Sequence, residues 1–262
     1  MTRAISTLIV LCLATTAAAD PKEREPWYSG ERGHKRLLHL SITVGGGLVF
    51  LGSEIFKKQI GPSECRWCEP PGFDRSARDA IVWDNTRRAD ILSTVDAYVV
   101  APIVGIGLLI ASDHGAGLPR FIDDSVTVLE TVAISQLVIQ AIKFSVGRQR
   151  PFARFGTDVV FEPDQNLSFP SGHSALGFAI TASAGMVAHW RGYWTEPYIW
   201  GAGLALSLST EYLRMAADKH YLSDVVVGGV IGFAGGLLIP RLLRDDVPIV
   251  PVKNGLAFVG QF

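Results

Sequence analysis

Residues 225–240 read VVVGGVIGFAGGLLIP, with no Asp, Glu, Lys or Arg among them. The run is long for a buried strand and lacks any alternation of apolar with polar residues, so it is read as a helix. Gly228, Gly232 and Gly236 recur every four residues and share one face, with Gly229 and Gly235 beside them. A face of small residues lets another helix approach closely, in lipid or in a tight bundle, and packing is reason enough for it. Just ahead of the run stand His220 and Asp224, at i and i+4. On a helix that spacing lets the carboxylate hold one imidazole nitrogen.

Five earlier runs have the same character: 37–53, 97–112, 125–142, 174–188 and 197–210. With 225–240 they predict an all-α chain folded as a six-helix bundle. Between the first two runs a loop is expected over 61–78, with a short helical stretch over 80–88. The charge-free lengths fall short of the ~20 apolar residues of a full membrane span. The helices therefore read as marginal spans or as the buried helices of a soluble bundle, and membrane association is the favoured reading. The run 37–53, with Gly45-Gly46-Gly47, is the one expected not to cross. At the far end, 249–252 and 256–262 flank Asn254-Gly255, the signature of a short C-terminal β-hairpin.

Composition agrees with this class. Of 262 residues, 48% are apolar and 19% charged, and the mean hydropathy is +0.27. That excludes a disordered or collagen-like chain. Twenty-four basic residues face 25 acidic ones, with no basic stripe, so no nucleic-acid partner is expected. Residues 1–19 read as a signal peptide: Arg3, an apolar stretch over 5–16, then Ala17-Ala18-Ala19. A linker over 20–36, the bundle over 37–244 and a tail or hairpin over 245–262 complete the layout. Cys12 leaves with the signal. Cys65 and Cys68, in Cys-Arg-Trp-Cys, read as a local disulfide of an exported protein. The nearby Pro62, Pro70 and Pro71 argue for a loop and against a redox-active βαβ setting, and zinc would need two further ligands.

Three clusters carry the chemistry. Lys143 and Arg150, the latter followed by Pro151, are two cations seven apart, expected on one helical face. Pro170-Ser171-Gly172-His173 opens the fourth helix; Ser171 can cap it, and the free N–H groups of Ser171 and Gly172 favour an anion. Arg214, His220 and Asp224 form the third. Singly, each has a plain structural explanation. Together they supply three cations, an anion-binding helix start, a proton donor and an oriented nucleophile, which is the inventory for phosphoryl transfer without a metal. His34, His39, His114 and His189 fit none of these clusters, and Trp67 and Trp83 read as loop packing.

The ordered motifs K-x(6)-R-P, P-S-G-H and R-x(5)-H-x(3)-D resemble the type 2 phosphatidic acid phosphatase superfamily, which also contains bacterial acid phosphatases and vanadium haloperoxidases. One departure is Leu213, where the family usually has Ser before the arginine. The resemblance implies a metal-independent phosphatase without cofactor, acting on a phosphomonoester or pyrophosphate through a phosphohistidine. His220 would be the nucleophile, Asp224 its orienting carboxylate and His173 the general acid. Lys143, Arg150, Arg214 and the N–H groups of Ser171 and Gly172 would hold the phosphoryl oxygens. A phosphorylated lipid is the leading substrate class, ahead of a small-molecule phosphate. The competing readings are a soluble periplasmic acid phosphatase, a vanadate-dependent haloperoxidase and a non-catalytic envelope protein. An exported bacterial cell-envelope protein is expected, membrane-associated or soluble, with its site facing the periplasm.

Overall fold

All six apolar runs fold as helices, each longer than its charge-free stretch. The computed structural model describes residues 32–112, 118–156, 164–243, 249–252 and 255–258. The expected signal peptide lies outside the described residues, as does His114. Helix α1 (Arg32–Ile55) already begins within the expected linker. A short α2 (Lys57–Ile60) follows, then α3 (Gly72–Ile81) and α4 (Thr86–Val95). A π-helical turn (Asp96–Val100) joins α4 directly to α5 (Ala101–Ser112). Next come α6 (Leu118–Val146), a single turn α7 (Pro151–Phe155), α8 (Gly172–Arg191), α9 (Glu196–Ala216) and α10 (Leu222–Leu242).

The region between the first two long helices differs from expectation. The expected loop over 61–78 is already helical from Gly72, and the expected helix over 80–88 is broken in its middle. Two bonds explain the break. Trp83 N–H donates to the Ala216 carbonyl at 3.0 Å, drawing the backbone towards α9. The Asn85 side chain then accepts from Arg88 N–H at 3.0 Å and starts a new helix.

The C-terminal hairpin is present. β1 (Ile249–Val252) pairs antiparallel with β2 (Gly255–Phe258), Ile249 opposite Phe258, so the second strand starts one residue earlier than expected.

Helix α8 is the axis of the bundle, packed on by α5, α6, α9 and α10. It is apolar all round and buried throughout 179–188, as a central helix should be. The glycine face of α10 lies against it. A Cβ at Gly228 would strike the carbonyl oxygen of Ser171, and one at Gly232 that of Ala175.

Among the described residues, four helices are long and apolar enough to cross a membrane by length and composition: Leu38–Ile55, Thr86–Ser112, Arg120–Val146 and Leu222–Leu242. α1, which contains the run expected not to cross, is long and apolar enough to do so, whereas α8 and α9 are not. Counting charge-free residues underestimates a span when a charge faces the bundle. Glu130 does so, buried against His39 Nδ1 of α1 at 2.9 Å. The outer faces carry exposed Leu48, Leu51, Ile103 and Val230. Such an apolar outer surface belongs to a membrane-associated bundle.

Candidate active site

The ends of α1, α6 and α9 and the starts of α8 and α10 meet around a cavity of about 130 Å³. Its walls include Lys143, Arg150, Gly172, His173, Arg214 and His220, six of the residues singled out from the sequence. Phe50, Glu54, Lys57, Tyr98, Gln136, Asp164 and Leu167 complete them.

Lys143 projects from the last turn of α6. Arg150 does not share its helical face, because α6 stops at Val146 and Gly147 turns the chain with φ +60. Arg150 instead caps α7 in extended conformation and is returned to the cavity by the turn. Its Nη1 donates to the Lys219 carbonyl at 3.1 Å and lies 3.4 Å from His220 Nε2. Its Nε donates to the Asp164 carbonyl at 3.0 Å, and its Nη2 pairs with Asp164 Oδ2 at 2.9 Å.

The start of α8 divides its two expected anion donors. The Ser171 side chain accepts from Ser174 N–H at 3.4 Å, so it caps the helix. Its own N–H donates to the Asp224 carbonyl at 2.9 Å, and Ser171 is not part of the cavity wall. Gly172 is: its carbonyl accepts from Gln136 Nε2 at 3.0 Å, and a Cβ there would stand 3.6 Å from Lys143 Nζ. His173 follows, its Nε2 buried without a hydrogen-bond partner and its ring edge-on to Tyr98, centroids 5.0 Å apart. The π turn thus brings to the site a tyrosine that the sequence motifs did not indicate.

His220 precedes α10, so helical i, i+4 geometry does not apply to it and Asp224. Nδ1 and Oδ2 are 3.6 Å apart, beyond hydrogen-bond length but close enough to stabilise a positive charge on the ring. Asp224 is anchored elsewhere. Its Oδ1 accepts from Arg148 Nη1 at 2.5 Å, and its Oδ2 from Ser168 Oγ at 2.6 Å and Tyr221 N–H at 2.9 Å.

Arg148 is the functional neighbour that motif reading missed. Its guanidinium is buried between the rings of Trp67, 3.8 Å away, and Tyr221, 4.3 Å away. Nη2 reaches Asp74 Oδ2 at 2.6 Å, and Asp74 also accepts from Ser223 N–H at 2.8 Å. Trp67 comes from the Cys-Arg-Trp-Cys loop, where Cys65 and Cys68 are disulfide-bonded. Gln149 N–H donates to the Trp67 carbonyl, and Arg66 N–H to that of Gly147, which fastens this loop to the turn after α6. The available signal was a second arginine, and third cation, inside the Lys143–Pro151 motif, beside a loop stapled around a tryptophan.

Arg214 donates to Asp90 Oδ1 at 2.5 Å and to Ser93 Oγ at 3.2 Å. A hydroxyl therefore reaches this arginine from α4 although position 213 is leucine. Trp83 packs as expected, its Nε1 donating to Tyr212 Oη at 3.0 Å. His39 pairs with Glu130, and His189 with Glu196 at 3.0 Å, both outside the cavity wall.

Burial lowers the pKa of His220 well below the usual imidazole value, and Arg150, Arg214 and Lys143 lower it further. His173 is lowered in the same way by burial, Arg214, Lys143 and Arg150. Both rings are therefore neutral in the free protein at neutral pH. Burial alone would raise Asp164, but Arg150, Lys57, Lys219 and Lys143 outweigh it and hold its carboxyl at about 2. The arrangement sets Nε2 of the neutral His220 ring, facing the donor Arg150 Nη1, beside a cluster of cations suited to a tetrahedral anion. Among the described residues no group of three or more His, Cys, Asp or Glu is placed to hold a metal ion.

Residues 124–247 match a family model described as PAP2 superfamily, a span that contains all three motifs. No curated protein matches the chain significantly. Among solved structures, that of Aquifex aeolicus LpxE is similar at 20% identity and TM-score 0.47, over 64% of this chain and 92% of that one. Another is the structure described as the first transmembrane PAP2 type phosphatidylglycerolphosphate phosphatase, from Bacillus subtilis. It matches at 18% identity and TM-score 0.46, over 78% of this chain and 94% of the other.

Proposed function

We propose that this chain, whose residues 124–247 match the PAP2 superfamily model, is a membrane-associated, metal-independent phosphatase that cleaves a phosphorylated lipid through a phosphohistidine. The observation that carries the reading is the pairing of a neutral imidazole with a cationic cradle: His220 Nε2 lies 3.4 Å from Arg150 Nη1, in a cavity also walled by Lys143, Arg214 and His173.

In the first step His220 Nε2 attacks phosphorus, forming the P–N bond as the P–O bond to the lipid breaks. A proton from His173 goes to the departing oxygen. Lys143, Arg150, Arg214 and Gly172 N–H face the non-bridging oxygens and stabilise the charge that spreads over them in the transition state. The ring of the phosphohistidine bears a positive charge, which Asp224 opposes from 3.6 Å. In the second step His173 takes a proton from water, whose oxygen attacks phosphorus and releases His220 with inorganic phosphate.

The apolar outer surface favours a lipid substrate over a freely soluble ester. The stapled loop favours a site outside the cytoplasm, because Trp67 of that loop stacks on Arg148 beside Asp224 at the same end of the bundle. The test is phosphate release by the purified protein from a panel of lipid and soluble phosphates, with and without detergent, in the presence of a chelator. Release from lipid phosphates that persists in the chelator is expected. Release that is lost in the chelator and restored by a divalent cation would overturn the reading.

A further inference from the structure

Two carboxylates line a cavity otherwise equipped for an anion. Asp164 holds Arg150 Nη2 through Oδ2 at 2.9 Å, and the same oxygen lies 4.0 Å from Lys57 Nζ. Glu54, at the end of α1, accepts from Gln140 Nε2 through Oε1 at 2.5 Å and from Lys57 Nζ through Oε2 at 3.3 Å. It shares the cavity wall with Phe50 and Tyr98, and the ring of Tyr98 abuts His173. A pair of carboxylates is an obstacle to phosphate binding, so their presence calls for a reason in the substrate.

We propose that Glu54 and Asp164 restrict the site to phosphomonoesters, whose leaving group is an uncharged alcohol, and turn away diphosphates. This deepens the phosphatase reading and rests on it. Four cationic side chains, Lys57, Lys143, Arg150 and Arg214, line the cavity with the two carboxylates. The surplus of positive charge matches a phosphomonoester, which carries about −1.5 to −2 near neutral pH. Lys57 is already engaged by both carboxylates, so it is not free to meet another anion.

A diphosphate places a second charged phosphoryl group directly on the bridging oxygen. In the attack by His220 that group is the one leaving, on the side of His173. In a cavity this small, among the described wall residues, Lys143, Arg150 and Arg214 are taken by the phosphoryl group under attack and Lys57 by the carboxylates, so the added charge meets Glu54 and Asp164. An alcohol in the same place carries no such charge and needs only the proton from His173. Asp164 keeps its charge throughout the working range, since Arg150 and the lysines hold it at about 2 against its burial.

The experiment compares two substrates with the same lipid tail, one a monophosphate and one a diphosphate, using the full-length protein in detergent. The wild type is expected to favour the monophosphate in kcat/KM by about tenfold or more, the scale of one unpaired like-charge contact at a partly screened site. Asp164→Asn and Glu54→Gln should each narrow that ratio by about the same factor. The ratio is internal to each preparation, so a variant that folds less efficiently still reports it. A wild type that prefers the diphosphate or treats both alike, or a ratio unchanged in both variants, overturns the inference and leaves the phosphatase reading standing. Release from neither ester overturns the phosphatase reading and this inference with it.

Discussion

Arg148 Nη1 donates to Asp224 Oδ1 across 2.5 Å, and both side chains are shut away from solvent, 1% and 0% exposed. Arg148 therefore governs the carboxylate that faces His220, although it does not itself line the cavity. Its second contact, to Asp74, ties α3 to the start of α10, and its stacking between Trp67 and Tyr221 fixes the plane of the guanidinium.

Arg148→Ala would leave Asp74 and Asp224 buried with their charges uncompensated. Breaking a buried pair from one side costs about 3–5 kcal/mol, so thermal unfolding should shift down sharply. Arg148→Lys is the more informative variant. A point charge cannot serve two carboxylates and two rings at once, so kcat should fall about tenfold or more while KM changes little. Equal kcat in wild type and the lysine variant would show that the guanidinium is not what orients Asp224.

His220→Ala removes the proposed nucleophile, whose Nε2 lies beside Arg150. Phosphate release should drop by about 10³-fold or more, with thermal stability largely kept. Labelled substrate should give an acid-labile, base-stable phosphoenzyme in the wild type and none in the variant. A variant that still traps label would move the nucleophile to another residue.

The long helices were legible because a run such as 225–240 has neither charges nor a strand's alternation, and the motifs sit at the ends of those runs. What escaped depends on contacts between distant parts of the chain. The helix break at 82–85 is set by a backbone bond from Trp83 to Ala216. Arg148 meets Asp74 and Asp224 across more than 70 residues each way. Glu130 looks like an interruption of a span until His39 is found beside it. Arg150 looked like a partner of Lys143 on one helix, yet the positive φ of Gly147 ends that helix and returns the arginine by another route.

Gly232→Ala tests the packing of α10 on α8. The added methyl would meet the Ala175 carbonyl oxygen, a backbone atom that cannot turn aside. Overpacking of this kind costs about 1–3 kcal/mol, and the helices must separate one turn along α8 from Ser171, whose N–H meets the Asp224 carbonyl. Both thermal stability and kcat should fall. Gly201→Ala, on α9 with open space around the position, is the control and should leave both unchanged.

The pH dependence follows from the two histidines. Burial and the cations depress His220, so it stays neutral above a pKa well under the usual value, and protonation stops attack only in acid. His173 is depressed in the same manner, so in the free protein it is neutral and a poor proton donor. Bound phosphate brings negative charge among the same cations and reverses their effect, raising His173 in the complex. The free enzyme therefore needs the substrate monoanion to bring the proton, and that species fades above the second phosphate pKa of about 6. Accordingly kcat/KM should decline as pH rises from about 6 to 8, while kcat, which reports the complex, should hold to higher pH. His173→Asn should abolish the basic limb of kcat. It should also lower the rate by about 10²–10⁴-fold for an alkyl ester, and far less for a p-nitrophenyl ester, whose leaving group needs no proton. A loss of equal size on the two esters would remove His173 from the role of acid, and a kcat/KM still climbing at about pH 9 would contradict the depressed pKa values on which the proton bookkeeping rests.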